Sequence, residues 1–280
     1  MPRDTVERTA PPPGPAGSPP ADVGVLITID IDWAPDSVVD AVAAVLVEHR
    51  VRATWFVTHA GASVERLREH EGLFELGSHP NFTTGSTHGE EPVEVLRHCA
   101  ELVPGARAMR THGLHQSSGL LTLAQQEIGV EIDASLFLPH TPGLAPIDLW
   151  TDAGRLIRVP YLWEDDAELF RPAPIWRLEP LLALGDGLKV LDFHPIHVFL
   201  NSSSLAPYRA LKARHPHFLD VRAEQIADLV AAGDGTATLF AEAVAFLAAR
   251  GGGRTVSEVG YGSSTTATDA PEEGECASRH

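Results

Sequence analysis

Residues 23–31 most constrain the fold, because they form a nearly continuous run of β-branched and aliphatic side chains. Such a run is typical of a parallel strand that other elements cover on both faces. Further strand-like segments alternate with helix-like segments along the rest of the chain, which predicts repeated βα units. We therefore expect an α/β fold built on a parallel sheet or barrel.

The alternation gives approximate bounds for each element. Beyond the first strand we expect strands near residues 53–57, 74–77, 106–110, 130–132, 156–160, 188–193 and 255–259. Helices are expected near residues 37–49, 63–70, 92–102, 119–127 and 236–249. Residues 197–234 are less regular, with Pro207 and Pro216 breaking them, and they predict an insertion at the mouth of a site.

The two ends of the chain differ in composition from its middle. Residues 1–22 are rich in proline, have no hydrophobic signal-peptide segment and are expected to be disordered. Residues 261–280 are expected to form a disordered acidic tail, with Glu272, Glu273 and Glu275 contributing to its charge. Residues 23–260 are expected to form one domain, and a hydrophobic content of 44% is sufficient for a full core.

Composition excludes several classes of function. A net charge of −17 argues against nucleic-acid binding, because no basic stripe can displace counterions from phosphates. No apolar run is long enough to span a bilayer. Cys99 and Cys276 form neither a disulfide framework nor a zinc-binding pair, so we expect a protein of the reducing cytoplasm.

Two carboxylates at the end of the first strand need an explanation. Asp30 and Asp32 follow a buried run, and carboxylates are seldom buried without a partner. Residues two apart on a strand point the same way, so both side chains could face one site. The carboxyl ends of parallel strands are where α/β folds place their chemistry. The pair therefore suggests a metal ligand beside a catalytic base.

Other polar side chains recur at the ends of predicted strands. They are His79, Arg110 with His112, and His194 with His197. In a barrel these ends lie on one rim although they are far apart in the sequence. Asp32 and His79 suit a divalent metal such as zinc, which takes three protein ligands at a catalytic site and leaves one position for water.

The third metal ligand is open to several candidates. His88 and Asn81 are the nearest in sequence, whereas His112 and His115 are more remote. We favour His88, because imidazole is the better zinc ligand. The alternative is that His88 is a solvated histidine of the loop.

Roles for the remaining residues follow from their chemistry. His194 directly follows a buried strand and could protonate a leaving group, with His197 as its rival. Arg110 could keep Asp30 ionised, or form a surface ion pair instead. No glycine-rich phosphate loop follows the first strand and no Gly-x-Ser-x-Gly motif is present. Metal-assisted hydrolysis is therefore the best-supported class.

The order of these motifs resembles the polysaccharide deacetylase family, also called the NodB-homology or carbohydrate esterase family 4 proteins. The resemblance covers about residues 23–259. It is carried by Thr-Ile-Asp-Ile-Asp at residues 28–32, Ala-Thr-Trp-Phe-Val at 53–57, Glu-Leu-Gly-Ser-His-Pro-Asn-Phe at 75–82, Met-Arg-Thr-His-Gly at 109–113 and Leu-Asp-Phe-His-Pro at 191–195. It implies a distorted (β/α) barrel of about seven parallel strands.

The resemblance also implies an activity and a role for each motif. The expected reaction is metal-dependent removal of an N-acetyl group from a sugar or a sugar-containing metabolite. Asp30 would be the base, Arg110 would orient it and His194 would be the general acid. Asp32 and His79 would bind the metal, expected to be Zn²⁺, with Co²⁺, Ni²⁺ or Mn²⁺ as alternatives.

One position departs from the family pattern. The family places its two metal histidines four residues apart, and here Thr83 stands at the second position. The sequence around it resembles a divergent, WbmS-like branch with a longer loop, in which His88 could supply the missing ligand. Two alternatives stay open: hydrolysis of another C–N bond, as in the cyclic amide allantoin, and a catalytically silent carbohydrate-binding barrel.

Overall fold

A computed structural model of the chain describes residues 24–262. The predicted N-terminal extension, and the predicted tail beyond residue 262, lie outside the described residues. Within the described part, one large apolar core joins the sheet to the helices around it, and two smaller clusters lie beside it.

The described residues form nine strands. They are β1 (Val25–Asp30), β2 (Ala53–Val57), β3 (Phe74–Ser78), β4 (Ala108–Met109), β5 (Ile132–Asp133), β6 (Ile147–Thr151), β7 (Gly154–Arg158), β8 (Trp163–Glu164) and β9 (Lys189–Phe193). Every residue of β1, β2 and β9 is buried, as their apolar composition predicts for strands covered on both faces.

The strands form one sheet in the order β6-β7-β5-β4-β3-β2-β1-β9-β8. All neighbouring pairs are parallel except the antiparallel pair β6 and β7. An isolated parallel bridge joins Phe137, beyond β5, to Tyr161, ahead of β8. This bridge brings the two sides of the curled sheet together, with β6 and β7 lying outside it. The predicted distorted (β/α) barrel is confirmed.

Ten helices accompany these strands in residues 24–262. They are α1 (Asp36–Glu48), α2 (Ala62–Arg68), α3 (Pro92–Leu102), α4 (Ser118–Ile128), α5 (Asp165–Glu168), α6 (Leu178–Leu182), α7 (Pro195–Leu200), α8 (Ala206–Arg214), α9 (Thr236–Ala248) and α10 (Val256–Gly262). Local signals set several of their ends. Ser117 caps α4 by accepting a hydrogen bond from the Leu120 N–H, and Gly129 ends it with φ of 69°.

The predicted strand at residues 255–259 is wrong, because these residues begin α10. Val256 and Val259 are both buried and lie three residues apart, which is the spacing of a helix face. The Glu75 carboxylate accepts the N–H of Ser257 at 3.1 Å, which satisfies a free donor of the first helical turn. Tertiary contacts therefore favour a helix here, although the β-branched residues of this segment favour a strand.

The irregular segment after β9 forms an insertion with its own small core. Leu211, Val221 and Ile226 pack there with Ile196 and Leu200 of α7 and with Val38 of α1. This packing fixes α8 above the carboxyl end of β9. The predicted insertion at the mouth of the barrel is confirmed. No helix among residues 24–262 is long and apolar enough to cross a membrane.

Gly77 of β3 is expected to be intolerant of a side chain. A Cβ atom there would lie 2.7 Å from the Phe56 ring and 3.0 Å from the Ala108 carbonyl oxygen. Gly77→Ala should therefore lower the free energy of unfolding by roughly 1 to 3 kcal/mol, measured by urea denaturation. Gly72→Ala is the matched control, since its Cβ meets nothing within 4 Å. Equal stability of the two variants would contradict the packing described for β3.

Candidate active site

The polar side chains predicted from the strand ends meet at one rim of the barrel. Asp30 ends β1, His79 directly follows β3 and Arg110 directly follows β4. Arg110 Nη1 donates to Asp30 Oδ1 at 3.0 Å, and His79 Nε2 lies 3.5 Å from Asp30 Oδ2. Parallel strands present their carboxyl ends on the same side, so residues distant in sequence form one cluster.

Asp32 reaches this cluster through a strained turn. β1 ends at Asp30, and Asp32 and Trp33 both adopt positive φ, at 43° and 55°. Such values are uncommon for residues with side chains and concentrate at functional sites. The Trp33 N–H donates to Thr58 Oγ1 at 3.1 Å, which helps to hold the turn. The turn, not strand alternation, therefore places Asp32 beside Asp30.

Asp32 contacts two histidines with the same oxygen. His79 Nε2 and His112 Nδ1 each lie 3.1 Å from Asp32 Oδ1. Burial alone would raise the pKa of Asp32, but hydrogen bonds from His112, His194 and His79 hold it well below its ordinary value. Burial likewise lowers the pKa of His112, yet the Asp32 carboxylate outweighs burial and raises it. One ionised carboxylate thus organises these rings.

Asp32, His79 and His112 form a group that could hold a metal ion. Their nearest ligand atoms all lie within 4.8 Å of one another. Two imidazole nitrogens and one carboxylate oxygen are a donor set typical of catalytic zinc, and three protein ligands leave a position for water. The residues present therefore fit the metal that the sequence motifs imply.

The structure does not bring His88 into this group. Its Nδ1 accepts the Asn81 N–H at 3.1 Å, and its Nε2 lies 2.7 Å from the Thr58 carbonyl oxygen. Both ring nitrogens are therefore occupied by backbone groups. Burial lowers the pKa of His88 to about 4, which keeps the ring neutral. These contacts leave His88 outside the group of Asp32, His79 and His112 and hold it against the loop after His79.

Two other candidates for the third ligand also lie elsewhere. Asn81 Oδ1 accepts the N–H of Thr83 at 3.0 Å and its hydroxyl at 2.6 Å, so this amide oxygen stabilises the loop. His115 packs its ring against Phe82, with centroids 6.2 Å apart. Of the four candidates named from the sequence, the structure places His112 beside Asp32 and His79.

Arg110 is completely buried behind Asp30. Its Nη1 donates to Asp30, to Thr28 Oγ1 at 2.9 Å and to Asp192, and its Nε donates to the Ala134 carbonyl oxygen at 3.0 Å. Burial disfavours the charged guanidinium, but the carboxylates of Asp192 and Asp30 outweigh it and raise the pKa of Arg110. Arg110 is therefore a buried cation that orients Asp30, not part of a surface ion pair.

His194 faces the cluster with one ring nitrogen. Its Nε2 lies 3.4 Å from Asp32 Oδ2, whereas its Nδ1 lies 2.6 Å from Asp165 Oδ1. Burial opposes protonation, but the carboxylates of Asp165 and Asp166 outweigh it and raise the pKa of His194 well above its ordinary value. His194 is therefore held by Asp165 with its Nε2 directed toward Asp32.

His197 is held differently from His194. Its Nδ1 lies 3.0 Å from Ser202 Oγ, and its Nε2 lies 2.8 Å from Asp166 Oδ1. Both ring nitrogens are therefore engaged within the chain. Of the two rival histidines, His194 alone has a ring nitrogen directed at Asp32 in the described structure.

A run of acids around His194 was not predicted from the sequence. Glu164 ends β8, and Asp165 and Asp166 begin α5. Asp165 is completely buried and also accepts the His194 backbone N–H at 2.8 Å. The run of three consecutive acids after Trp163 was a usable signal, but β8 has only two residues and was not recognised as a strand. Asp192 was missed as well, although it lies within the quoted motif before His194.

A cavity of about 450 Å³ opens beside the cluster. Asp32, His112 and His194 line it on the barrel side, and Tyr208, Lys212 and Phe218 of the insertion line the opposite side. Its size falls in the range of small-molecule sites, roughly 300 to 1,000 Å³. The cluster is therefore accessible to a ligand of the size of a sugar.

Comparison with known proteins agrees with this arrangement. The sequence profile of the WbmS-like polysaccharide deacetylases matches residues 27–212. A crystal structure from Bordetella bronchiseptica, of a candidate polysaccharide deacetylase involved in O-antigen biosynthesis (WbmS), is 33% identical. The match covers 81% of this chain and 90% of that one, with a TM-score of 0.66.

More distant structures were also found. A family 4 acetyl xylan esterase from Clostridium thermocellum, in complex with a cobalt ion, is 13% identical over 84% of this chain and 89% of that one, with a TM-score of 0.39. A CE4 family pseudoenzyme from Bacillus anthracis is 14% identical over 86% of this chain and 66% of that one, with a TM-score of 0.40. No curated protein matches the chain in sequence at a significant level.

The chain belongs to the polysaccharide deacetylases. Within them it belongs to the WbmS-like family, as the profile match and the 33% identity show. The resemblance drawn from the five motifs is confirmed.

Variants of the loop histidines should separate the two candidates for the third ligand. His112→Ala should weaken zinc binding by at least roughly 100-fold, because it removes a nitrogen beside Asp32 and His79. His88→Ala should keep one equivalent of zinc but lose roughly 2 to 4 kcal/mol of stability, since the Asn81 N–H and the Thr58 carbonyl lose their partner. Zinc titration and urea denaturation measure both effects. His115→Ala is the control, and loss of zinc from His88→Ala would contradict this assignment.

Glu164 should make stability depend on pH. Burial raises its pKa to about 7 from its ordinary value of 4.5, against the opposing charge of His194. Because the folded form binds this proton more tightly than the unfolded form, stability is lost as pH rises from about 4.5 through 7. Glu164→Gln should remove that loss and gain roughly 1 to 3 kcal/mol over the wild type between pH 5 and pH 8.

The measurement is urea denaturation at pH 5 and pH 8 with a chelator present. Glu65→Gln is the control, because Glu65 is exposed and paired only with Arg68 on the outer surface. A difference between Glu164→Gln and wild type that stays constant with pH would contradict the raised pKa.

Proposed function

We propose that this chain is a metal-dependent deacetylase that removes an N-acetyl group from a sugar or a sugar-containing metabolite. Family membership supports a deacetylase and a sugar substrate. The observation that carries the proposal is the meeting of Asp30, paired with Arg110, and His194, paired with Asp165, on two sides of Asp32. A carboxylate that can accept a proton and an imidazole with a raised pKa, on either side of one group, suit amide hydrolysis.

Asp32, His79 and His112 would hold the metal. Zinc suits these donors best, and Co²⁺, Ni²⁺ and Mn²⁺ are accepted by similar sets of nitrogen and oxygen ligands. When bound, the ion supplies Lewis acidity that polarises the acetyl carbonyl and acidifies a water molecule. His79 is fully buried and His112 is partly exposed to the cavity, so the site has an inner wall and an open side.

Asp30 acts as the base in this proposal. Its carboxylate takes the proton of the attacking water while Arg110 fixes one of its oxygens at 3.0 Å. Arg110 has no route to solvent, because Phe56 and Tyr161 cover its two faces at 4.7 and 4.4 Å.

His194 acts as the acid. Expulsion of an amine is slow unless its nitrogen is protonated, and His194 Nε2 faces Asp32 from the cavity side. Asp165 holds the other ring nitrogen, which fixes the orientation of the ring and stabilises its protonated form. This arrangement supports His194 over His197 as the acid.

Asp30→Asn should abolish turnover without loss of metal. With zinc or cobalt, the wild type should release acetate from N-acetylated sugars, and the variant should lower kcat by at least roughly 100-fold because general-base catalysis is lost. Bound metal should stay at one equivalent, since Asp32, His79 and His112 are unchanged. Acetate release and metal analysis give the two readouts. Asp40→Asn, at an exposed ion pair with Arg66, is the control.

The same measurements separate the alternatives. Full activity in Asp30→Asn would overturn its assignment as the base. Stoichiometric metal with no acetate release from any N-acetylated sugar would favour hydrolysis of another C–N bond, such as that of a cyclic amide. Absence of metal binding together with retained sugar binding would favour a silent carbohydrate-binding barrel.

A further inference from the structure

Lys212 stands out among the residues that line the cavity. It lies on α8 of the insertion, opposite the barrel rim. Its ammonium lies 4.7 Å from the centroid of the Tyr208 ring, one helical turn earlier, and 5.8 Å from that of Phe218. Both rings also line the cavity, so the cation is held at the wall by two aromatic faces.

The ammonium has no acidic partner. No carboxylate of the described residues 24–262 lies within 4.0 Å of it, whereas Arg214 on the same helix pairs with Asp228 at 2.7 Å. The acids that line the cavity are already engaged, Asp166 by His197 and Asp32 by its histidines. The cavity wall therefore presents a cation that no carboxylate of residues 24–262 neutralises by direct contact.

The overall charge of the chain makes this cation informative. At −17, the protein as a whole repels anions, so an anionic ligand needs local positive charge to enter and stay. An ammonium on aromatic rings keeps N–H donors for a carboxylate or a phosphate. The adjacent ring of Tyr208 offers an apolar face, and sugar rings pack on such faces.

We propose that Lys212 determines substrate specificity by binding an anionic group, a carboxylate or a phosphate, carried by the N-acetylated sugar. This inference rests on the proposed function, which supplies the premise that the substrate is an N-acetylated sugar. The inference adds that the substrate is anionic, a property that the cluster around Asp32 does not determine. The acetamide would lie at that cluster and the anionic group at the opposite wall, on the insertion.

The test compares neutral and anionic sugars with the full-length, zinc-loaded protein. The probes are N-acetylglucosamine, its 6-phosphate and N-acetylglucosaminuronic acid, and their affinities are measured by calorimetry. The wild type should bind at least one anionic probe roughly tenfold or more tightly than the neutral sugar, which is a typical effect of one charge-assisted contact. The preferred probe identifies the group as phosphate or carboxylate.

Variants then assign the preference to Lys212. Lys212→Met should lower the ratio of anionic to neutral affinity roughly tenfold, and Lys212→Arg should restore most of it. Arg209→Met is the matched control, because Arg209 is on the same helix but does not line the cavity, and it should leave the ratio unchanged. The inference is overturned if the wild type shows no preference, or if Lys212→Met lowers both affinities equally.

Acetate release from the same probes separates this inference from the proposed function. Lys212-dependent binding of an anionic sugar without acetate release would retain the role of Lys212 and overturn the deacetylase. Acetate release with a ratio of kcat/KM that does not change in Lys212→Met would retain the deacetylase and overturn the role of Lys212.

Discussion

The buried guanidinium of Arg110 is the interaction on which the rest of the site depends. It connects three strands, because it follows β4 and donates to Asp30 of β1 and to Asp192 of β9. Burial of a cation is tolerated only when carboxylates compensate its charge. Burial of those carboxylates would be equally unfavourable without the cation. Burial raises the pKa of Asp192 well above its ordinary value, against the opposing charge of Arg110. The pairing therefore fixes the position of Asp30 at the barrel mouth.

Asp32 has the complementary role of joining two sets of histidines. One oxygen faces His79 and His112, and the other faces His194. The Asp32 carboxylate therefore lies between the candidate metal group and His194. Asp165 continues the chain of contacts by holding His194 from behind. The strained turn that carries Asp32 thus places one carboxylate within reach of three rings.

Much of the fold and of the candidate site was predictable, because it depends on short segments of sequence. β2 and α3 have their predicted bounds, since a fully buried apolar run and a proline at a helix start are strong signals. The rim residues Asp30, His79, Arg110 and His194 were found because parallel strands place their ends together. β8 was missed because two residues carry no periodicity, and the strand expected at residues 255–259 forms a helix because contacts with the sheet outweigh local propensity.

By itself, the sequence determined the barrel, the rim and the chemical types gathered there, because hydrophobic periodicity and strand-end residues are encoded in short segments. The tertiary structure decided which histidine lies beside Asp32 and His79 and which acid contacts His194. His88 is nearer to His79 in sequence, yet its nitrogens bind backbone groups, whereas His112 lies beside Asp32 from another strand end. Sequence distance does not measure spatial distance when parallel strands bring remote segments together, so only the folded chain could make that choice.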